Sequence, residues 1–85
     1  MFLHLGADTI IPLKNVILIS DRKEEKSTIN TEFLQTMEDE GLIIDVSCGN
    51  AKSFIIADDQ VYLSAISSFT LKKRADTAMT DDEDL

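Results

Sequence analysis

Few residues of this chain are of a type and spacing that makes or breaks bonds. Cys48 is the single cysteine and His4 the single histidine. A nucleophilic site needs a Ser or Cys beside a base, and Cys48 has only Gly49 and Asn50 after it. A turn or buried structural cysteine is the commoner use. His4 alternates with Leu3 and Leu5 and reads as a hydrogen-bonded strand residue or one at a subunit contact. Asp58 and Asp59 are adjacent, so they serve a turn instead of facing each other across a substrate. No phosphate loop, dinucleotide fingerprint or metal-ligand spacing occurs, and a Cys/His zinc site would need ligands from several subunits. The expectation is a non-enzyme with no cofactor, no catalytic residue and no metal.

Charge is the remaining chemistry. Lys72-Lys73-Arg74 is the densest basic cluster. Two readings stay open for it: cations favoured by the dipole at the end of a short helix, or a phosphate-contacting patch. Glu38-Asp39-Glu40 closes a helix where the dipole disfavours anions. It is either a solvated end or one neutralised by a neighbouring subunit's Arg22 or Lys23. The net charge of −8 is unevenly spread. All eight Lys and Arg lie within residues 1–75, beside eleven acids, while five acids crowd residues 76–85. The last stretch has little to bury and repels itself, which predicts a disordered acidic tail over 76–85.

The elements that must position these groups follow from the pattern. Phe2–Leu5 reads as a strand stopped by Gly6-Ala7-Asp8, and Thr9–Ile11 as a second. Pro12 lacks the N–H of a central ladder, so the chain turns there. Val16–Ser20, Leu42–Val46, Ser53–Ala57 and Val61–Ile66 are further strand runs. Ser27 or Thr28 caps a main helix over about 28–40, with Ile29, Phe33, Leu34 and Met37 on one stripe. Gly41 stands where a left-handed C′ residue is wanted. Ser67 or Ser68 caps a short C-terminal helix ending near Ala75. The fold class expected is α+β: a small, mainly antiparallel sheet of about five strands with one main helix and a short final one, as a single domain over 1–75.

Eighty-five residues make a small core, and such domains commonly lean on a disulfide, a metal or oligomerisation. One cysteine excludes an intrachain disulfide. Val16–Ile19, Leu42–Ile44 and Phe54–Ala57 are continuous apolar runs, which imply strands covered on both faces. A narrow-striped helix and a short one cannot cover both faces of such a sheet, so neighbouring copies are the expected cover. No apolar run approaches the roughly 18 residues of a membrane span, and no basic n-region opens the chain. The reading is a soluble, cytoplasmic homo-oligomer without a membrane partner.

Phe2-Leu-His-Leu-Gly6, the strand ending Ile19-Ser-Asp21, and Leu63-Ser-Ala-Ile-Ser-Ser-Phe-Thr-Leu-Lys-Lys-Arg-Ala75 resemble the RemA/RemB family of bacterial extracellular-matrix regulatory proteins, RemB more closely. The resemblance runs from residue 1 to about 75. It implies a protomer that closes into a homo-oligomeric ring and a role in control of biofilm-matrix genes. In the RemA branch it implies transcription regulation by DNA binding through repeated basic side chains. RemA-like members carry consecutive arginines in the turn after the strand at Leu42–Val46; here those positions are Asn50 and Ala51, followed by Lys52. The DNA contacts the resemblance implies then fall to Asn50, Lys52, Lys72, Lys73 and Arg74. The alternative is an oligomeric structural or protein-interaction module, partnered by another regulatory protein, that does not bind DNA.

Overall fold

The computed structural model describes residues 1–24 and 31–83. Strands β1 (Phe2–Gly6) and β2 (Thr9–Pro12) form an antiparallel hairpin. Its turn runs through positive φ at Gly6 (104°), Ala7 (44°) and Asp8 (20°). Gly6 fits because it lacks a Cβ, which at this position would meet Ile66 Cδ1 at 3.5 Å in a conformation L side chains avoid. Pro12 closes β2 and the chain turns through a 3-10 segment, Leu13–Asn15, as its missing N–H predicts.

Strand β3 (Val16–Asp21) follows, then a 3-10 turn over Arg22–Glu24 and helix α1 (Thr31–Asp39). The cap residues Ser27 and Thr28 and the stripe residue Ile29 lie outside the described residues. Helix α1 ends as expected at Gly41 (φ 71°). The Gly41 amide donates to the Glu38 carbonyl at 3.0 Å and the Leu42 amide to Met37 at 2.8 Å. This paired closure satisfies carbonyls the helix leaves open. Strands β4 (Ile43–Asp45), β5 (Ser53–Ala57) and β6 (Val61–Ser64) and helix α2 (Ser68–Glu83) complete the chain.

The strands form two sheets, not the single one expected. The hairpin stands apart, and the second sheet has the order β3-β5-β6-β4. The bulge between His4 and Gly6 and the break at Pro12 keep β1–β2 out of the larger ladder. The pairings β3–β5 and β5–β6 are antiparallel, whereas β4 runs parallel to β6. The parallel edge arises because α1 carries the chain back before β4 begins, as a crossover must.

The register sorts the side chains. One face of the four-stranded sheet carries Ile19 and Ile55, which pack with Leu3, Leu5 and Ile11 of the hairpin and Leu71 of α2. The other carries Val61, Leu63 and Ile43, which line a groove with Leu34, Gln35 and Glu38 of α1. Strand β5 is therefore enclosed on both faces within one chain: Phe54 and Ile55 are both fully buried. For the run Phe54–Ala57 this corrects the expectation that neighbouring copies provide the cover. The expectation counts the hairpin strands within one sheet and leaves only two small helices as cover, yet the hairpin packs on the larger sheet as a separate layer. On the edge strand the expectation differs in outcome, since Ile17 of β3 remains exposed.

Helix α2 runs past Ala75, where the charge pattern ends it, to Glu83. No Gly or Pro lies between Asp76 and Glu83 to stop it, and Ala78 and Met79 are good helix formers. The helix extends over residues 76–83 although Asp76, Thr77, Thr80, Asp81 and Asp82 are weak helix formers.

Candidate nucleic-acid interface

Antiparallel pairing of β3 with β5 sets Asp21 opposite Ser53. The residues just outside that pair are thereby brought together: the Arg22 amide donates to the Lys52 carbonyl at 3.0 Å, and the Lys52 amide to the Ser64 carbonyl at 2.8 Å. Lys52 is thus held from both sides, and its exposed side chain projects from a fixed backbone. The Asp21 carboxylate accepts from the Lys23 amide at 2.8 Å and shapes the turn that presents Arg22 and Lys23. Arg22, Lys23 and Lys52 line one cleft of about 470 Å3 with Asp21, Ala51 and Ser67.

Ser67 stands at the start of α2. Its hydroxyl accepts from the Thr70 amide at 3.2 Å and donates to the Thr70 hydroxyl at 3.0 Å, the capping role expected of Ser67 or Ser68. The cleft therefore sits beside the positive end of a helix, with three cations around it and one carboxylate in it. Phosphate is the chemistry that such a surface complements.

The loop from β4 to β5 is organised by Asp45. Its carboxylate accepts from the Ser47 hydroxyl, the Ser47 amide at 2.8 Å and the Gly49 amide at 3.1 Å. The Ser47 hydroxyl, the amides and the nearby Arg22 charge hold the Asp45 carboxyl below its ordinary range, against a smaller opposing effect of desolvation. Cys48 (φ 56°) and Gly49 (φ 91°) turn the chain in the left-handed region. Cys48, Gly49 and Asn50 are exposed, and Ala51 is half-buried at the cleft wall.

The sequence-predicted residues are only partly gathered. Lys52 lines the cleft and Asn50 lies two residues before it. Lys72 and Lys73 are exposed on α2, beyond the capped turn. Arg74 is tied elsewhere, its guanidinium donating to the His4 carbonyl at 3.2 Å. Sequence reasoning did not join Arg22 and Lys23 to Lys52, because some thirty residues separate them. The signal available was the strand pair itself: ends of antiparallel neighbours bring their flanking residues together. Arg22 also lines the α1 groove with Glu38 of its own chain, so a cation lies near that helix end without a neighbour. Among the described residues no helix is long and apolar enough to cross a membrane, and no cluster of three or more His, Cys, Asp or Glu is arranged to hold a metal.

A small α+β domain with a basic cleft at one end of its sheet is the class of protein these observations define. Residues 2–75 match the family described as RemA-like, extracellular matrix regulatory protein A-like, and the chain belongs to that family. It is also similar to extracellular matrix regulatory protein B of Bacillus subtilis (strain 168), at 35% identity over 75 residues, covering 88% of this chain and 90% of the relative. This likeness sets the chain nearer the B side of the family.

Proposed function

We propose that this chain is a non-enzymatic, self-assembling cytoplasmic regulator of extracellular-matrix (biofilm) genes that holds DNA by its phosphate backbone. The observation that carries the reading is the convergence of Lys52, Arg22 and Lys23 on one cleft beside the start of α2, in a member of a matrix-regulatory family. Lys72 and Lys73, and Asn50 in the loop, extend the contact surface. Backbone contacts position a protein on DNA without reading bases, which suits a surface of ammonium groups and amides. One cleft with three cations binds weakly alone, and repetition across a homo-oligomeric ring multiplies its strength. Self-assembly is supported by the exposure of Phe2, Ile10, Ile17, Phe33 and Phe69 on so small a chain.

The test is light scattering on a size-exclusion column while a duplex fragment is titrated into the sample at two salt concentrations. A mass of several protomers that rises with DNA, and does so less at higher salt, supports the reading. A second reading is favoured by Asn50 and Ala51 in the exposed loop and by the charge of −8. It describes the same assembly as a module that engages another regulatory protein and no DNA. An unchanged mass on adding DNA at low salt selects it.

A further inference from the structure

We propose that the exposed ring of Phe69 is a base-stacking face, and that the surface around the cleft takes single-stranded nucleic acid in preference to duplex. The inference rests on the phosphate-cleft reading and names the form of nucleic acid received there.

Phe69 is the most exposed large apolar side chain among the described residues, at 75%. Phe2, Ile10, Ile17 and Phe33 are exposed as well, but β1, β2, β3 and α1 contain no Lys or Arg. Phe69 shares α2 with Lys72 and Lys73. The helix pitch places the three together. Leu71 is fully buried and Ala75 packs against the core, which fixes the inward side of α2. Phe69, Lys72 and Lys73 stand at i, i+3 and i+4 on the opposite side, and all are exposed. Asp76 follows at i+7, so the cation-flanked aromatic surface is confined to the first two turns.

Those turns begin at the cleft. Ser67, which caps α2, lines the cleft with Lys23 and Lys52. Two residues, about 3 Å of helix rise, separate Ser67 from Phe69. A phosphate held by Lys23 and Lys52 is thus bordered by an aromatic face, with two further ammonium groups one turn on.

What such a face can do depends on the form of the strand. In a duplex the bases stack on one another and present only their edges. In a single strand they splay apart, and every base offers a π-face to an aromatic ring. A cationic groove beside an aromatic platform is the combination that holds single strands without reading sequence. One ring is too little apolar area to anchor a helix in lipid, yet it is enough to carry a base.

The experiment measures fluorescence anisotropy of the full chain with three labelled probes. They are oligothymidylate, the duplex formed with its complement, and an abasic strand with the same number of phosphates. Wild type is expected to bind oligothymidylate most tightly. Phe69→Ala should weaken that binding by about 5- to 150-fold, the range for one lost base stack, and leave the other two probes and the solution mass unchanged. Phe69→Tyr should retain the preference, while Phe69→Leu, apolar but without a π-face, should lose it. The chain has no tryptophan, so Phe69→Trp adds a direct reporter, with emission quenched by oligothymidylate and not by the abasic strand. The inference is overturned if Phe69→Ala weakens no probe or all three alike, if it changes the solution mass, or if Phe69→Leu binds as wild type does. Duplex binding without a preference for the single strand also overturns it and leaves the phosphate cleft standing. Failure of wild type to bind any probe instead overturns the cleft reading beneath it.

Discussion

The hydroxyl of Ser64, at the end of β6, donates to the carbonyl of Leu5 in β1 at 2.7 Å. The same oxygen accepts from the Ile66 amide at 3.0 Å. Ser64 and Leu5 are both fully buried, so the pair fastens the hairpin to the main sheet where water cannot substitute. Ser53, also fully buried, repeats the device by donating to the Ile66 carbonyl at 2.7 Å.

Replacing Ser64 with Ala removes one atom and strands two backbone groups. A loss of about 1–3 kcal/mol is expected, the range for a buried group left unpaired. Urea denaturation followed by circular dichroism reads it as a lower midpoint at unchanged slope. A variant as stable as wild type would show that the hairpin needs no such tie.

The basic cleft predicts a particular change in salt dependence. Lys52→Ala and Lys23→Ala each remove a phosphate contact, and the slope of log affinity against log salt should become shallower by about 0.9 per contact. Fluorescence anisotropy with a labelled duplex, run from low to moderate salt, measures it. The loss should be the same for unrelated sequences, because phosphate contacts carry no base information. An unchanged slope would remove the cleft from the interface.

Asn50 and Ala51 stand where the arginines of RemA-like chains are expected. Asn50→Arg with Ala51→Arg adds two planar, permanently charged forks beside Lys52. Affinity for duplex DNA should rise and the salt slope steepen by about 0.9 per added contact. If DNA binding appears only in this variant, the protein-partner reading applies to the natural chain.

The Asp45 loop carries a pH dependence of known sign. The carboxyl is held below its ordinary range by Ser47, Gly49 and Arg22. A group depressed in the folded state stabilises it when ionised. Its contribution is therefore complete above the ordinary aspartate value of about 4 and is lost as the pH falls from there through the lower folded value. The Ser47 and Gly49 amide resonances should shift together across that acid window. Asp45→Asn should abolish the shared titration and loosen the loop at neutral pH.

Much of the local structure was legible because it is set by near neighbours. Gly41 ends α1, Pro12 ends β2 and Ser67 caps α2 through preferences of single residues. The division into two sheets was not legible, since it depends on the bulge at His4–Gly6 and on which strands meet. The same blindness hid the cleft. Lys52 was found, but Arg22 and Lys23 joined it only through the Asp21–Ser53 register, which strand propensity does not encode. The continuous apolar run of β5 correctly signalled cover on both faces, although its own hairpin and helix supply it. The length of α2 was not legible, since residues 76–83 combine an acidic charge with mostly weak helix formers.

The order β3-β5-β6-β4 also has a meaning in time. The two middle strands are the last to leave the ribosome, while the two outer ones and the N-terminal hairpin precede them. Every strand of the larger sheet except β6 therefore waits for a partner not yet synthesised, and the Ser64–Leu5 tie closes only after three quarters of the chain exists. Two of the four pairings, β3–β5 and β4–β6, join strands that are distant in sequence, and such contacts form slowly. Nascent chains that end before Ser53 should hold both β3 and β4 as open edges, exposed to wrong partners until the centre arrives.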